Sequence, residues 1–171
     1  VEIIEVNPGH DAFKPAAELF DDYRVHYGQP SSPARTQDWL SDQLTTGRLS
    51  LSAAIQSEAG QSEAGQSEAG QSEAGRSGVR PVGLITSAIQ PASLRLGVLW
   101  FVQDLFVKPE SRRAGVAQSL LNHIVDRAAS AGALRVSLRT ESDNIPALKL
   151  YAAAGFTQVN GLTTLNIPLP H

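Results

Sequence analysis

The chain contains no cysteine in its 171 residues. That absence excludes disulfides, a thiolate metal site and a cysteine nucleophile, and it fits a cytoplasmic protein. Histidine is scarce too. His10, His26, His123 and His171 are scattered, with no ligand spacing, so no metal is expected. The net charge of −3 is small and argues against nucleic acid as the main partner. No apolar run approaches the ~20 residues of a membrane span, so no membrane partner is expected. Glu2 and Glu5 sit where a signal peptide would be basic, so none is expected. The chain also lacks Gly-x-Gly-x-x-Gly and a Walker lysine, which disfavours the nucleotide-binding folds built on them.

What is present suits one domain spanning residues 1–171, with 42% hydrophobic residues for a core. Residues 56–75 are four copies of Gln-Ser-Glu-Ala-Gly. A period of five matches neither helix nor strand, and no copy carries a large apolar residue. The repeat therefore reads as a flexible insertion at a hairpin tip, tolerated there rather than functional. Its four glutamates outweigh the chain's net charge, so the acidic balance says little about partners.

Around the insertion, the patterns predict strands at Glu2–Val6, Leu49–Ile55, Val82–Ile89, Val98–Val107 and Arg135–Arg139. Thr157–Val159 and Thr163–Pro168 read as closing strands. Helices are predicted at Ala12–Tyr27, Thr36–Thr46, Ala114–Ala131 and Ile145–Ala154. Pro30–Pro33 breaks the first pair, Gly47 and Gly132 act as stops, and Asn144, Pro146 and Gly155 suit the ends of the last helix. His123 reads as a solvated helix residue, and Trp100 and Phe101 as core or interface residues.

Two stretches carry chemistry. In the first, the strand ending at Val107 passes through a polar turn to Arg112-x-x-Gly115-x-Ala117 and an amphipathic helix. The first amides of a helix lack partners, and its dipole is positive there, so this order makes a diphosphate site. Gly115 removes a side chain where an anion must approach, and Arg112 and Arg113 add positive charge. The second stretch is Asn144-Ile-Pro-Ala147-Leu-Lys-Leu-Tyr151-Ala-Ala-Ala-Gly155-Phe156. Asn144 and Tyr151, seven residues apart, share a helix face about 10 Å apart.

These two motifs, in this order, resemble those of the GNAT superfamily of N-acetyltransferases. The resemblance is firm over residues 98–156. It implies an α/β (α+β) fold, with helices on both sides of a mixed central sheet that contains a splayed strand pair. The predicted order, βααβββαβαβ, agrees. It also implies acetyl-CoA as co-substrate and an enzyme that moves the acetyl group to a primary amine by direct attack. The acceptor would be a polyamine, a small amine or a lysine-like group, free or on a peptide. By resemblance, Leu105, Phe106 and Val107 flank the pantetheine arm. The diphosphate lies on the amides of Arg112, Arg113, Ala114, Gly115, Val116 and Ala117. Tyr151 donates to the departing thiolate, and Ala147 belongs to the cofactor-binding motif. Asn144 either caps its helix or binds the pantetheine arm.

The general base stays open. Some relatives carry a glutamate at the position of Gln103, and glutamine cannot take that role. Asp104 points to the opposite face by strand alternation, unless a β-bulge re-aims it. Glu141 and a solvent-connected water chain are the alternatives. His26 and Tyr27 fall where the family's acceptor pocket is often lined. Asp22, Asp38, Asp104 and Glu141 would suit a cationic amine. A homodimer is expected from Trp100, Phe101 and the apolar run Leu165-Asn-Ile-Pro-Leu169. The alternative to an enzyme is an acyl-CoA-binding sensor without turnover.

Overall fold

A computed structural model describes residues 1–56 and 79–169. The rest of the repeat, residues 57–75, lies outside them. The chain divides into two compact units, Val1–Arg139 and Thr140–His171.

The first unit is a five-stranded mixed sheet in the order β1-β2-β3-β4-β5. Its strands are β1 (Glu2–Val6), β2 (Ser50–Ile55), β3 (Pro81–Ala92), β4 (Gly97–Val107) and β5 (Val136–Ser137). Strands β1 to β4 pair antiparallel, and β5 runs parallel to β4. The strands on either side of the repeat pair as the predicted hairpin. β3 runs past Ile89 to Ala92 and returns into β4 through a turn at Ser93–Arg95.

Helices α1 (Phe13–His26) and α2 (Pro33–Thr45) cover one sheet face. Phe13, Ala16, Ala17, Leu19, Phe20 and Leu40 bury against Leu51, Ala53, Leu84 and Phe106 there. Pro33 opens α2 rather than standing outside it. Its fixed φ suits the first helical position, where its missing N–H costs nothing.

Helix α3 (Val116–Ser130) buries Val116, Leu120, Leu121, Ile124 and Ala128. Gly83 sets its approach to β3. A Cβ there would lie 3.0 Å from Val116 Cγ1 and 3.2 Å from Leu120 Cδ1. α3 begins two residues later than predicted, because Gly115 adopts φ +78° and serves as its N-cap.

The sheet stops short of the predicted closing strands. Neither Thr157–Val159 nor Thr163–Pro168 is a strand, and the strand predicted at Arg135–Arg139 shrinks to Val136–Ser137. An alternating pattern becomes a strand only when it meets a partner edge. Leu162, Leu165, Ile167 and Leu169 instead stand exposed. The second unit's regular element is α4 (Ile145–Ala153).

Candidate active site

The β4–β5 pairing ends at Phe101 and Ser137. β4 runs on to Val107, so its outer edge from Val102 onward has no strand beside it among the described residues. This is the splayed pair that the resemblance implied.

Gln103 sits at a bulge. Thr86 pairs with Asp104 but Ser87 pairs with Val102, which leaves Gln103 over as the extra residue. The bulge changes what each edge presents. Before it, Trp100 N–H donates outward to Arg135 O at 3.0 Å; after it, Lys108 N–H donates inward to Val82 O at 2.9 Å. By alternation, Leu105 and Val107 therefore turn their backbone groups to the open edge, and Phe106 turns its own toward β3. The Nε of Arg112 donates to Val107 O at 3.0 Å, as an outward carbonyl allows.

The bulge also flips the side chains. Asp104 lands on the α1 face, with Phe106. Tyr23 Oη donates to Asp104 Oδ1 at 2.8 Å, and Thr86 Oγ1 donates to Oδ2. Asp104 therefore lies opposite Leu105, as alternation gives, while the bulge before it turns it to the other face from Trp100 and Val102.

The turn after β4 carries two left-handed residues, Arg113 at φ +62° and Gly115 at φ +78°. For Arg113 this backbone is uncommon and strained. No side chain caps α3. The first helical bond runs from Ser119 N–H to Gly115 O at 3.0 Å, so the amides before Ser119 have no helical carbonyl to donate to. Nothing lies within 4 Å of where a Gly115 Cβ would stand. Open space, unclaimed amides and the positive helix end together fit a diphosphate. Arg113 and Ala114 are exposed beside them. Arg112 is less available, since its guanidinium also lies over the Phe106 ring at 5.9 Å.

A cleft of about 360 Å³ opens on the α1 side, lined by Asp22, Val25, His26, Phe106, Lys108, Pro109 and Glu110. His26 is thus in the lining, with its ring 5.6 Å from Phe106. Asp38 lies outside this lining, exposed on α2, while Glu110 joins Asp22 in it. Beside Asp22 on α1, Asp21 is buried. Asp21 accepts from Ser31 Oγ at 2.6 Å, Thr36 Oγ1 at 2.7 Å, Arg24 Nη1 at 2.8 Å and Ser32 N–H at 3.1 Å. Burial alone would raise its carboxyl; the four donors outweigh that and hold it at about 2, below the ordinary 3.8. Sequence reasoning missed Asp21, Tyr23 and Thr86. Apart from Arg24, the hydrogen-bond partners named here lie outside their own elements, so no local pattern marks them.

Two further residues differ from expectation. His123 is not a solvated residue. It lies three and seven residues after Leu120 and Val116, on their face, with Nε2 3.2 Å from Ser52 Oγ. Burial, then the charge of Arg127, pushes its pKa down; Glu5 and Asp126 oppose. Trp100 is buried and donates through Nε1 to Ser87 Oγ at 2.7 Å. It offers no interface surface. Phe101 lies under Arg139, with the guanidinium 5.2 Å from the ring.

The second unit holds the other motif. Asn144 Oδ1 accepts from Ala147 N–H at 3.3 Å, so Asn144 caps α4. At the far end, Gly155 takes φ +87°. Gly155 N–H reaches Ala152 O at 3.0 Å, and Phe156 N–H reaches Tyr151 O at 2.9 Å. These two bonds form a Schellman ending. Glu141 lies at the start of this unit and accepts from the Asn144 N–H at 3.2 Å through its backbone oxygen.

The sequence model described as "Acetyltransferase (GNAT) family" matches residues 18–156. The chain belongs to that family. A relative from Bacillus subtilis (strain 168), an uncharacterized N-acetyltransferase called YhfO, is 33% identical over 79 residues. That match takes in 45% of this chain and 53% of the relative, so the chain spans about half the length of this curated relative. The fold matches the crystal structure of a probable acetyltransferase at TM-score 0.82 and 24% identity, over 100% of this chain and 99% of the other. It matches a putative acetyltransferase from Agrobacterium tumefaciens str. C58 at TM-score 0.72 and 17% identity, over 99% and 100%. At these identities the two structures show the fold alone. GNAT members take their acetyl group from acetyl-CoA. Among the described residues no helix is long and apolar enough to cross a membrane, and no group of three His, Asp or Glu side chains is placed to hold a metal ion.

Proposed function

We propose that the protein transfers the acetyl group of acetyl-CoA to a primary amine by direct attack. One observation carries this reading: an uncapped helix start with open space at Gly115, directly after a strand whose outer edge is unpaired. The amides of Arg113 to Ala117 would hold the diphosphate, the Arg112 amide donating instead to Pro109 O at 3.3 Å, and the outward groups of Leu105 and Val107 would hold the pantetheine arm. Phe106 contributes its ring to the α1 face. The co-substrate supplies the acetyl group.

The amine must lose a proton to attack. Asp104 is the proposed acceptor of that proton. Two of its oxygen lone pairs are taken by hydroxyls, and an ionised carboxylate has about four. Tyr151 is proposed to donate to the departing thiolate, and Asn144 and Ala147 to belong to the cofactor site; these three rest on the motif. Asp22 and Glu110 in the cleft favour a cationic amine such as a polyamine, a small amine or a lysine-like group. Thiol release over a panel of amines, with mass spectrometry of the product, tests the reading. A panel with no acetylated product, under conditions where acetyl-CoA binds, would count against it.

A cytoplasmic homodimer is part of the same reading. The absence of cysteine supports the location, and exposed Leu162, Leu165, Ile167 and Leu169 support pairing. Sedimentation equilibrium at the monomer mass, at tens of micromolar, would end the dimer.

A further inference from the structure

We propose that Tyr23 is a positioning residue for Asp104. The inference rests on Asp104 being the proton acceptor, and it assigns to α1 a part in the chemistry that the motifs do not contain. Tyr23 and Asp104 are 81 residues apart and meet through a 2.8 Å hydrogen bond.

A carboxylate on a strand next to a bulge is free to turn about its last side-chain bond unless something holds it. Here each oxygen has its own hydroxyl, Oδ1 from Tyr23 on α1 and Oδ2 from Thr86 on β3. Both donors are themselves fixed. Thr86 is fully buried in the sheet. The Tyr23 ring is wedged between Phe20 at 5.4 Å, Tyr27 at 5.1 Å and Phe106 at 5.7 Å. Two residues back along α1, Asp21 ties the helix to the connection into α2 through Ser31, Ser32 and Thr36. The hydroxyl is thus held in place before any acceptor arrives, which is how a proton acceptor keeps a productive angle. Without Tyr23 the bulge still places Asp104 on the α1 face, but one oxygen loses its anchor.

The test has two arms. In ¹³C-labelled protein without acceptor, the Asp104 carboxyl resonance is compared among wild type, Tyr23→Phe, Thr86→Val and Thr86→Ser. The expected result is a clear shift in Tyr23→Phe and Thr86→Val, and a near wild-type position in Thr86→Ser, which keeps the hydroxyl. An unmoved resonance in Tyr23→Phe overturns the proposal. In the second arm, kcat and both KM values are measured with whichever of spermidine, tryptamine and Nα-acetyl-lysine turns over. Tyr23→Phe should lower kcat on the order of tenfold, leave both KM values within about twofold, and add nothing in an Asp104→Asn background. An equal loss in that background means that Tyr23 acts by another route, and the proposal fails while the base reading stands. Full kcat in Asp104→Asn alone sinks the base reading instead.

Discussion

Tyr151 and Phe156 are joined by the ending of α4. The Phe156 N–H donates to the Tyr151 carbonyl at 2.9 Å, and their rings meet edge-on at 6.1 Å. The Tyr-x-x-x-Gly-Phe spacing therefore has a structural purpose as well as any chemical one: it places a ring contact beside the 6→1 bond of a Schellman motif, with Gly155 supplying the left-handed residue.

That dual role shapes the first prediction. Tyr151→Phe keeps the ring and the backbone carbonyl, so α4 should keep its ending and the melting temperature should hold. If the hydroxyl donates to the thiolate, kcat should fall by roughly 10²-fold with acetyl-CoA affinity similar. Single-turnover kinetics check it. An unchanged chemical rate would remove the acid role.

Gly115→Glu should abolish acetyl-CoA binding. The side chain would fill the open space beside the α3 amides and bring negative charge to the proposed diphosphate site. Positive φ at this residue adds backbone strain, so circular dichroism must first show a folded variant. Titration calorimetry then decides, and retained affinity in folded protein would place the cofactor elsewhere.

Asp104→Asn should lower kcat/KM on the order of 10²-fold and remove the acidic limb of its pH profile. If water carries the proton away, the limb persists, because it then reports the amine's own ionisation. A modest rise in acceptor KM with an unchanged profile would make Asp104 a binding residue for a cation.

Asp21 should make the protein acid-sensitive over a defined range. Its folded pKa of about 2 lies below the unfolded 3.8. The stability it contributes is present above 3.8 and is lost as pH falls toward 2. Asp21→Asn should therefore melt earlier than wild type at pH 6, with the gap closing by pH 2. A gap independent of pH across thermal melts would show that the charge is not what Asp21 contributes.

His123 should act in a separate range. Its folded pKa is lowered, so burial of the neutral ring stabilises above the unfolded 6.5 and that contribution fades as pH falls below it. His123→Gln keeps a polar group near Ser52 without the titration. Melting curves between pH 8 and 5.5 should fall less steeply for the variant than for wild type. Parallel curves would refute the assignment.

Much of this molecule is written in local patterns. The Arg112-x-x-Gly115-x-Ala117 turn and the Asn144 and Gly155 helix ends could be read from residue type and spacing, because a cap or a left-handed turn is decided within a few residues. The same holds for α1, α3 and the hairpin on either side of the repeat, whose apolar periods persist for several turns or pairs. Local reading failed where a partner was required. Residues 157–168 have strand-like composition, yet they form no strand, since no pattern supplies the edge to pair with.

The surroundings of Asp104, the proposed base, were decided by tertiary structure. Alternation puts Asp104 opposite Leu105, where it lies, but nothing in the sequence announces that Gln103 is left over opposite Ser87 and Thr86, which turns Asp104 to the other face from Trp100 and Val102. Only the pairing of β3 with β4 creates that bulge. Only the packing of α1 then brings the Tyr23 hydroxyl to Asp104, 81 residues away. The sequence by itself determined the helix ends and the turn at Arg112–Ala117, because their physics is confined to neighbouring residues. Register, bulge and long-range hydrogen bond belong to the fold, because each depends on which strand and helix come to lie side by side.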